Sequence, residues 1–199
     1  IGQNTLRTLG NYRRTGETTA IKGGKRSDGN GAIMRLAAVP CMHWQNVEKA
    51  RSIAIAQSQC THHSPLSEGC CDLMTFILCQ LISGKIWEQI LPYPNKNNWL
   101  EEVSLLSSCN WRDKSEEEVQ STGYVIHTLE AALWCVDTTN SFQDAVLRAV
   151  NLGEDADTVG AVTGQIAGAR YGIESIPDEW LSELVDQPRI KTIAEIIFN

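Results

Sequence analysis

The sequence predicts an all-α fold, and the spacing of its apolar residues carries the prediction. Val125, Leu129, Ala132, Leu133 and Val136 fall at i, i+4, i+7, i+8 and i+11. This spacing places all five on one face of a helix. Similar stripes recur along the chain, whereas no segment alternates apolar and polar residues between turn signals. We therefore expect helices and no sheet.

Four further helices are predicted, in chain order. One apolar stripe covers residues 47–54, and a longer one covers residues 73–82 and ends before Gly84, a C-cap residue. Ser141 is a natural N-cap for an apolar stripe that follows it. Residues 188–197 predict a short last helix.

Two polar stretches are expected to lie at the surface. The segment LPYPNKNNWL, residues 91–100, is rich in Pro and Asn and predicts a loop. The run of Glu at 116–118 follows Ser115 and predicts the solvated first turn of a capped helix rather than a binding patch. A domain linker is the alternative for this loop, but neither flank is expected to fold alone. At 199 residues one domain is the default, so residues 1–199 are predicted to form a single domain.

Composition excludes several classes of function. Hydrophobic residues make up 42% of the chain and charged residues 21%, as in soluble globular proteins. No uninterrupted apolar run approaches the roughly 18 residues of a spanning helix, so no membrane partner is expected. The net charge of −7 argues against nucleic acid as a partner, because phosphate binding needs clustered Lys and Arg. An anionic ligand would need a metal ion or helix N-termini to bind.

The cysteines indicate a reducing compartment. There are seven, an odd number, and they lie in apolar stretches, as Cys79 does between Phe76 and Leu81. Such a distribution is typical of buried thiols rather than of a disulfide framework. The protein is therefore expected to be cytoplasmic.

The segment NLGEDADTVGAVTGQIAGARYG, residues 151–172, combines a turn with a glycine-rich helix. Gly153 is predicted to end one helix, and the next is predicted to start at Asp157 or Thr158. Glycine inside a helix costs roughly 0.5–1 kcal/mol relative to alanine, so its repetition requires a packing reason. We expect close approach of a neighbouring helix along one face, at Gly160, Gly164 and Gly168.

The turn of this segment is a candidate half of a metal site. Asp155, Asp157 and Thr158 place two carboxylates and a hydroxyl within four residues, a donor set suited to hard divalent cations. A simpler interpretation makes Asp157 an N-cap and Asp155 a turn residue. An EF-hand loop is excluded because its fifth and twelfth positions would be Val159 and Ile166. Three ligands do not complete a six-coordinate shell, so others must come from elsewhere.

Two further segments contain residues suited to binding. GGKRSDGNGAIMRLAAVP, residues 23–40, lacks the pattern of a P-loop, and a flexible linking loop is an equal alternative to a ligand cradle. QCTHHSP, residues 59–65, holds Cys60, His62 and His63, but no Cys-x-x-Cys pair supports zinc. His127, within a helical stripe, is expected to be a core histidine or to support a ligand.

Taken together, these segments resemble the ADP-ribosylglycohydrolase family, which includes the dinitrogenase-reductase-activating glycohydrolases. SDGNGAIMR is similar to the family's Gly-Asn-Gly-x-x-Met-Arg segment, and QCTHHSP to its Thr-His loop. GYVIHTLEAALWC resembles its Gly-Tyr-x-x-x-Thr-Leu-x-Ala helix. AVNLGEDADTVGAVTGQIAGARYG, residues 149–172, is similar to the family signature almost residue by residue.

The resemblance implies an orthogonal helical bundle with a binuclear Mg²⁺ or Mn²⁺ centre that cleaves ADP-ribose from modified protein side chains. The implied metal ligands are Asp155, Asp157 and Thr158. His62 would lie at the ribose and diphosphate, and Tyr124 near the adenine or at the cleft wall. The remaining implied substrate contacts are Ser27, Gly29, Asn30 and Gly31. The implied partner is an ADP-ribosylated protein or ADP-ribose.

The sequence departs from the family in one respect. Members carry a catalytic Glu and a Thr-Asp-Asp metal-binding segment before the region that Ile1 resembles, and TGETT at residues 15–19 matches neither. We therefore expect this chain to be the C-terminal part of such a hydrolase. The alternative is a non-catalytic ADP-ribose-binding or structural homologue that lacks half of the metal site.

Overall fold

The computed structural model describes residues 2–23, 27–93 and 99–198. Within these ranges the chain is all-α as predicted, and extended pairing is limited to an isolated antiparallel bridge between Gly29 and Tyr124. The α-helices of the described ranges are α1 (Gln3–Thr15), α2 (Ala38–His43), α3 (Val47–Gln59), α4 (Pro65–Ile82), α5 (Glu101–Ser107), α6 (Val125–Asp137), α7 (Phe142–Asn151), α8 (Ala156–Tyr171), α9 (Asp178–Glu183) and α10 (Gln187–Phe198).

The core is built around α4 and α6. Leu73 and Met74 of α4 and Leu129 and Leu133 of α6 are fully buried. Helix α3 packs against α4, and α8 packs against both α6 and α7. Among the described helices α4 is long and apolar enough to cross a membrane, but 78% of its length is buried inside the protein, as in the core helix of a globular domain.

The predicted stripes all correspond to helices, with shifted ends. Helix α7 begins after Ser141, whose hydroxyl accepts a hydrogen bond from the Asp144 amide at 3.0 Å, so this N-cap is confirmed. Helix α4 starts at Pro65, eight residues before the apolar stripe, because Ser64 caps it and proline suits a first turn. Ser83 is its C-cap, and Gly84 follows in the left-handed region.

Several elements were missed by the apolar pattern. Helix α1 buries no residue, and the helices at 38–43, 101–107 and 178–183 are too short to show a period. The prediction of a solvated turn capped by Ser115 is confirmed, but Glu116–Glu118 is a single 3-10 turn that does not continue as a longer helix. Ser115 and Glu118 form a capping box there, which closes the turn locally.

The predicted loop at residues 91–100 is anchored at both ends. Leu91 is 2% exposed, and the ring of Tyr93 packs on Phe76 with centroids 4.0 Å apart. At the other end Trp99 donates through Nε1 to Asp72 at 2.7 Å. Residues 94–98 lie outside the described part of the chain. The flanks are a loop as predicted, with Pro92 and Leu100 exposed, but the surface position is wrong for Leu91, which is buried.

Only one glycine of the α8 series is tightly packed. A Cβ added at Gly160 would lie 2.9 Å from Cγ1 of Val150 on α7, which confirms close approach there. A Cβ at Gly164 would meet nothing within 4 Å, and one at Gly168 would make ordinary contact with Phe142 at 3.9 Å. The expectation that all three glycines face a close neighbour is thus wrong for two of them.

Candidate active site

A cleft of about 1010 Å³ opens where the start of α8 meets the start of α6 and the 3-10 turn Asn30–Arg35. The structure brings together eight of the nine residues predicted for the site, from four separate segments of the chain. The predicted residues that line the cleft are Gly29, Asn30, Gly31, His62, Tyr124, Asp155, Asp157 and Thr158.

Ser27 is the predicted residue that does not line this cleft. It borders a smaller neighbouring pocket of about 150 Å³. Its backbone carbonyl accepts hydrogen bonds from Ser64 at 3.4 Å and from Ser67 at 3.2 Å, two hydroxyls at the start of α4. Ser27 thus ties residues 29–31, the glycine turn, to helix α4 of the core. Its contact with substrate stays a prediction.

Asp155 is the N-cap residue of α8. The simpler interpretation had made Asp157, two residues later, the N-cap. The carboxylate of Asp155 makes no capping bond to the helix backbone. Instead, Oδ1 accepts from the Thr158 hydroxyl at 3.1 Å and Oδ2 accepts from the Asn30 amide at 2.6 Å. Asp157 follows in the first turn, exposed, with Oδ1 accepting from the Thr158 amide at 2.8 Å. The Asp155 carboxylate is therefore held by side chains and directed at the cleft.

The turn before α8 is held in an unusual backbone conformation. Gly153 and Glu154 have φ of 77° and 48°, both in the left-handed region that non-glycine residues rarely adopt. The buried Ser121 fixes the turn, since its hydroxyl donates to the Gly153 carbonyl at 2.8 Å and its own carbonyl accepts from the Asp155 amide at 2.9 Å. Such locally enforced conformations are common at functional sites.

Asn30 connects the glycine turn to the acidic turn, which is formed by residues 155–158. Its amide nitrogen donates to Asp155 and also to the Thr128 hydroxyl, the latter at 2.8 Å. Because a carboxylate only accepts hydrogen bonds, the nitrogen must face Asp155. Both amide hydrogens are thereby used, so Asn30 retains only its Oδ1 atom for a ligand.

His62 packs directly on the glycine turn. A Cβ at Gly31 would lie 2.7 Å from Cε1 of the ring, and one at Gly29 would lie 3.3 Å from Nε2. On its other side, Nδ1 lies 2.7 Å from the Thr61 hydroxyl. Burial, with the positive charge of Arg35, lowers the pKa of His62 to about 4. The imidazole is therefore neutral at physiological pH.

Tyr124 forms part of the cleft wall and is supported by His127. The two rings meet edge to face with centroids 4.9 Å apart at 86°. Nδ1 of His127 lies 2.8 Å from the Thr122 hydroxyl, which fixes the imidazole. His127 was expected either in the core or as a support for a ligand. The structure shows it supporting Tyr124, a residue of the cleft wall.

The oxygens of the acidic turn fit one part of a hard-cation site. Two carboxylates and a hydroxyl are oxygen ligands, the class that Mg²⁺ and Mn²⁺ prefer. Within residues 2–23, 27–93 and 99–198, no three His, Cys, Asp or Glu side chains converge in a way that could hold a metal ion. A metal ion at Asp155 and Asp157 would therefore need further oxygen ligands, of which water can supply some.

Sequence reasoning missed several residues that shape the cleft. Met34 and Arg35 line it, and Thr61 and Thr128 hold its histidine and its asparagine. Each belongs to a motif quoted above, but a motif alone does not show which side chain contacts which. Helix α1, which the apolar pattern also missed, contributes one wall through Gln3, Asn4, Thr5 and Arg7.

Comparison with known proteins identifies the family. The family model for ADP-ribosylglycohydrolase matches residues 1–199. The chain belongs to the ADP-ribosylglycohydrolase family. It is similar over its whole length to proteins called ADP-ribosylarginine hydrolase Tri1, with 39% identity in Serratia proteamaculans and 33% in Pseudomonas putida. It is also 31% identical, over 92% of its length, to the ADP-ribosyl-[dinitrogen reductase] glycohydrolase of Rhodospirillum rubrum.

The chain spans about half the length of these curated relatives, covering 54%, 53% and 60% of them. A solved structure described as an ADP-ribosylglycohydrolase-related protein complex superposes with a TM-score of 0.88 at 31% identity. The match covers 99% of this chain and 68% of that one. Family membership and fold thus agree with the all-α arrangement.

Proposed function

We propose that this chain forms part of a metal-dependent hydrolase that removes ADP-ribose from modified protein side chains. The observation that carries the proposal is the Asp155 carboxylate, which is held by Asn30 and Thr158 at the mouth of a cleft instead of capping its own helix. A purely structural aspartate at that position would be expected to bond the helix backbone. The cleft has the volume and the mixed polar lining of a small-molecule site.

ADP-ribosylarginine is the substrate that the relatives favour. Two of the most similar proteins are named as ADP-ribosylarginine hydrolases, and both match the whole of this chain. The bond to be cut would then join the anomeric carbon of the ribose to a guanidinium nitrogen. Such bonds break through transition states in which positive charge develops on the sugar ring.

Mg²⁺ or Mn²⁺ is the proposed cofactor, with two ions expected. Asp155, Asp157 and Thr158 would supply oxygens to them. When bound, a pair of such ions orients hydroxyl groups and stabilises developing charge.

The opposite side of the cleft is suited to the diphosphate. The glycine turn lines this side, and the missing Cβ atoms of Gly29 and Gly31 let the ring of His62 pack directly on it. His62 lies against this turn as a neutral ring, which can donate a hydrogen bond without a counter-ion. Tyr124, which His127 holds in place, offers an aromatic edge for the adenine. These residues orient the ligand so that its ribose meets the acidic turn.

The experiment is release of ADP-ribose from an ADP-ribosylarginine protein by the full-length polypeptide, with Mg²⁺ or with a chelator. Asp157→Ala is expected to abolish release. Asp144→Ala is the matched control, because it removes an exposed carboxylate from the first turn of the neighbouring helix α7. Equal release by both variants, or release that persists in chelator, would contradict the proposal. Binding of ADP-ribose without release would favour the non-catalytic alternative.

We further infer a reducing compartment, the cytoplasm, for this protein. All seven cysteines lie in the described part of the chain and all are free thiols. Burial raises the pKa of Cys71 and Cys135 to about 12, so these thiols stay protonated and unreactive. Localisation of a fluorescent fusion to an oxidising compartment would contradict this inference.

A further inference from the structure

The guanidinium of Arg35 joins three segments beside the cleft. It donates to the Gly31 carbonyl at 2.9 Å, to the side-chain oxygen of Gln57 at 2.9 Å, and to the Thr61 hydroxyl at 2.7 Å. Gln57 is on α3, Gly31 is in the glycine turn, and Thr61 precedes His62. Arg35 therefore fixes the glycine turn and the histidine loop relative to each other.

The direction of the hydrogen bonds in this network can be worked out. Arginine has donors and no acceptor, so the Thr61 oxygen must accept from Arg35. The hydroxyl proton of Thr61 is then available to Nδ1 of His62, 2.7 Å away. A ring nitrogen that accepts carries no hydrogen, so in the neutral ring the hydrogen lies on Nε2.

If Nδ1 of His62 carried the hydrogen instead, two groups would lack a suitable hydrogen-bond partner. With a hydrogen on Nδ1, Thr61 would accept twice and its own proton would lack a described acceptor. Nε2 would then present a lone pair at the glycine turn, where it would repel an anionic oxygen. With the hydrogen on Nε2, the ring presents a donor on the side that packs against Gly29 and Gly31.

We propose that Arg35 and Thr61 are positioning residues that hold His62 as the Nε2–H tautomer, and so make it a neutral hydrogen-bond donor to an anionic oxygen of the ligand. The anionic group is of the phosphate class, and its identification with a diphosphate rests on the proposed function. The positive charge of Arg35 has a second effect, since it disfavours a second proton on the ring. Arg35 and Thr61 thus act on the ligand through His62.

The first test needs no ligand. Long-range ¹⁵N–¹H spectra of the full-length protein report which ring nitrogen of His62 carries the hydrogen. We expect Nε2–H in the unsubstituted protein and in Thr61→Ser, which keeps the hydroxyl. Thr61→Val matches the shape but lacks the hydroxyl, and is expected to give a mixture of tautomers. An Nδ1–H tautomer in the unsubstituted protein, or an unchanged single Nε2–H tautomer in Thr61→Val, would overturn the proposal.

The second test measures ADP-ribose binding by calorimetry. We expect Thr61→Val to weaken the Kd about tenfold, the loss of about one good hydrogen bond. Thr61→Ser is expected to stay within about twofold, a few tenths of a kcal/mol. Equal Kd values for Thr61→Val and the unsubstituted protein would overturn the ligand part of the proposal. If the unsubstituted protein binds no ADP-ribose, the proposed function and the ligand part fail together, while the tautomer result stands on its own.

Thr61 is the better residue to change because Arg35 has a wider structural role. Arg35→Ala would release Gln57 and Gly31 as well as Thr61, so a loss of binding could reflect a displaced turn. The thermal unfolding midpoint of each Thr61 variant shows whether the fold is intact. A Thr61→Val variant that unfolds early is replaced by Thr61→Ala, with the same expected spectra and the same contradicting result.

Discussion

The amide of Asn30 donates to the carboxylate of Asp155 at 2.6 Å, across 125 positions of sequence. This bond joins the glycine turn to the acidic turn. Of the sequence motifs that line the cleft, these two are the farthest apart in the chain. Since Asn30 is buried and its second amide hydrogen is used by Thr128, it has little freedom to release Asp155. The geometry of the acidic turn therefore depends on a residue of the opposite wall.

Asn30→Ala is expected to weaken Mn²⁺ binding and ADP-ribose release by about 10- to 100-fold, because it removes the partner that orients Asp155. The measurement is the dissociation constant for Mn²⁺ together with the release rate. Asn151→Ala is the control, since Asn151 is exposed and its side chain donates to the Leu147 carbonyl of its own helix, away from Asp155. An Asn30→Ala protein with unchanged Mn²⁺ affinity would show that Asp155 needs no such support.

Gly31→Ala is expected to reduce ADP-ribose affinity at least about tenfold, a cost of about 1.4 kcal/mol. The added Cβ would lie 2.7 Å from Cε1 of His62, so the ring or the turn must move. Gly10→Ala is the matched control, because a Cβ at Gly10 would meet nothing within 4 Å. Calorimetry measures the affinity of both variants for ADP-ribose. Equal affinities would mean that the contact between Gly31 and the ring of His62 is unimportant for binding.

Of the three glycines of α8, Gly160 and Gly164 are expected to change stability in opposite directions when they are replaced by alanine. Gly164→Ala should raise the free energy of unfolding by about 0.5–1 kcal/mol, since alanine favours helix and the site is open. Gly160→Ala should lower it by about 1–3 kcal/mol, because its Cβ would lie 2.9 Å from Val150. Denaturant titration measures both. A loss of stability in Gly164→Ala, or a gain in Gly160→Ala, would contradict the packing described here.

The lowered pKa of His62 predicts that the free energy of unfolding depends on pH. Its pKa is about 4 in the folded protein, compared with an ordinary value of 6.5, because burial and Arg35 disfavour its charged form. Between these two values the unfolded chain binds more protons, so the free energy of unfolding should fall as pH decreases from about 6.5 to about 4.

His62→Gln should remove that part of the pH dependence, and denaturant titrations at a series of pH values measure it. The slope that remains belongs to other groups, among them His127, whose pKa burial also lowers. An identical slope in His62→Gln and the unsubstituted protein, or an NMR titration midpoint of His62 near 6.5, would contradict the account.

The buried ion pair of Arg51 and Asp72 is expected to contribute strongly to the free energy of unfolding. Nε and Nη2 of Arg51 donate to the two carboxylate oxygens of Asp72 at 2.6 and 2.9 Å. Arg51→Ala should cost about 3–5 kcal/mol, because it leaves a buried carboxylate without its main partner. Arg189→Ala, which breaks an exposed pair, should cost less than about 1 kcal/mol. Similar losses in the two variants would contradict this assignment.

The sequence was most informative where the apolar pattern is long. The stripe that contains Val125 and Leu129 could be identified as a helix, since it buries one face in the core. The short helices were missed because they span too few residues for a period to show. Residues 91–93 and 99 were expected at the surface from their composition, whereas Leu91 and Trp99 are held by tertiary contacts that composition does not show.

The site could be predicted as a set of residues but not as a set of contacts. The motifs placed Asn30, His62 and Asp155 in one site, and the cleft brings them together. That Asn30 bonds Asp155, and that Arg35 reaches His62 through Thr61, depends on how separate helices pack. Side-chain partners of this kind are set by the tertiary structure, which a motif does not specify.

The proposed function depends on the binding of divalent cations by the oxygens of Asp155, Asp157 and Thr158. Its most direct test is a titration of the full-length protein with Mn²⁺, followed by the electron paramagnetic resonance signal of the free ion. We predict saturable binding that is lost in Asp157→Ala and kept in Asp144→Ala. Saturable binding of equal strength in Asp157→Ala, or its absence from the unsubstituted protein, would contradict the claim.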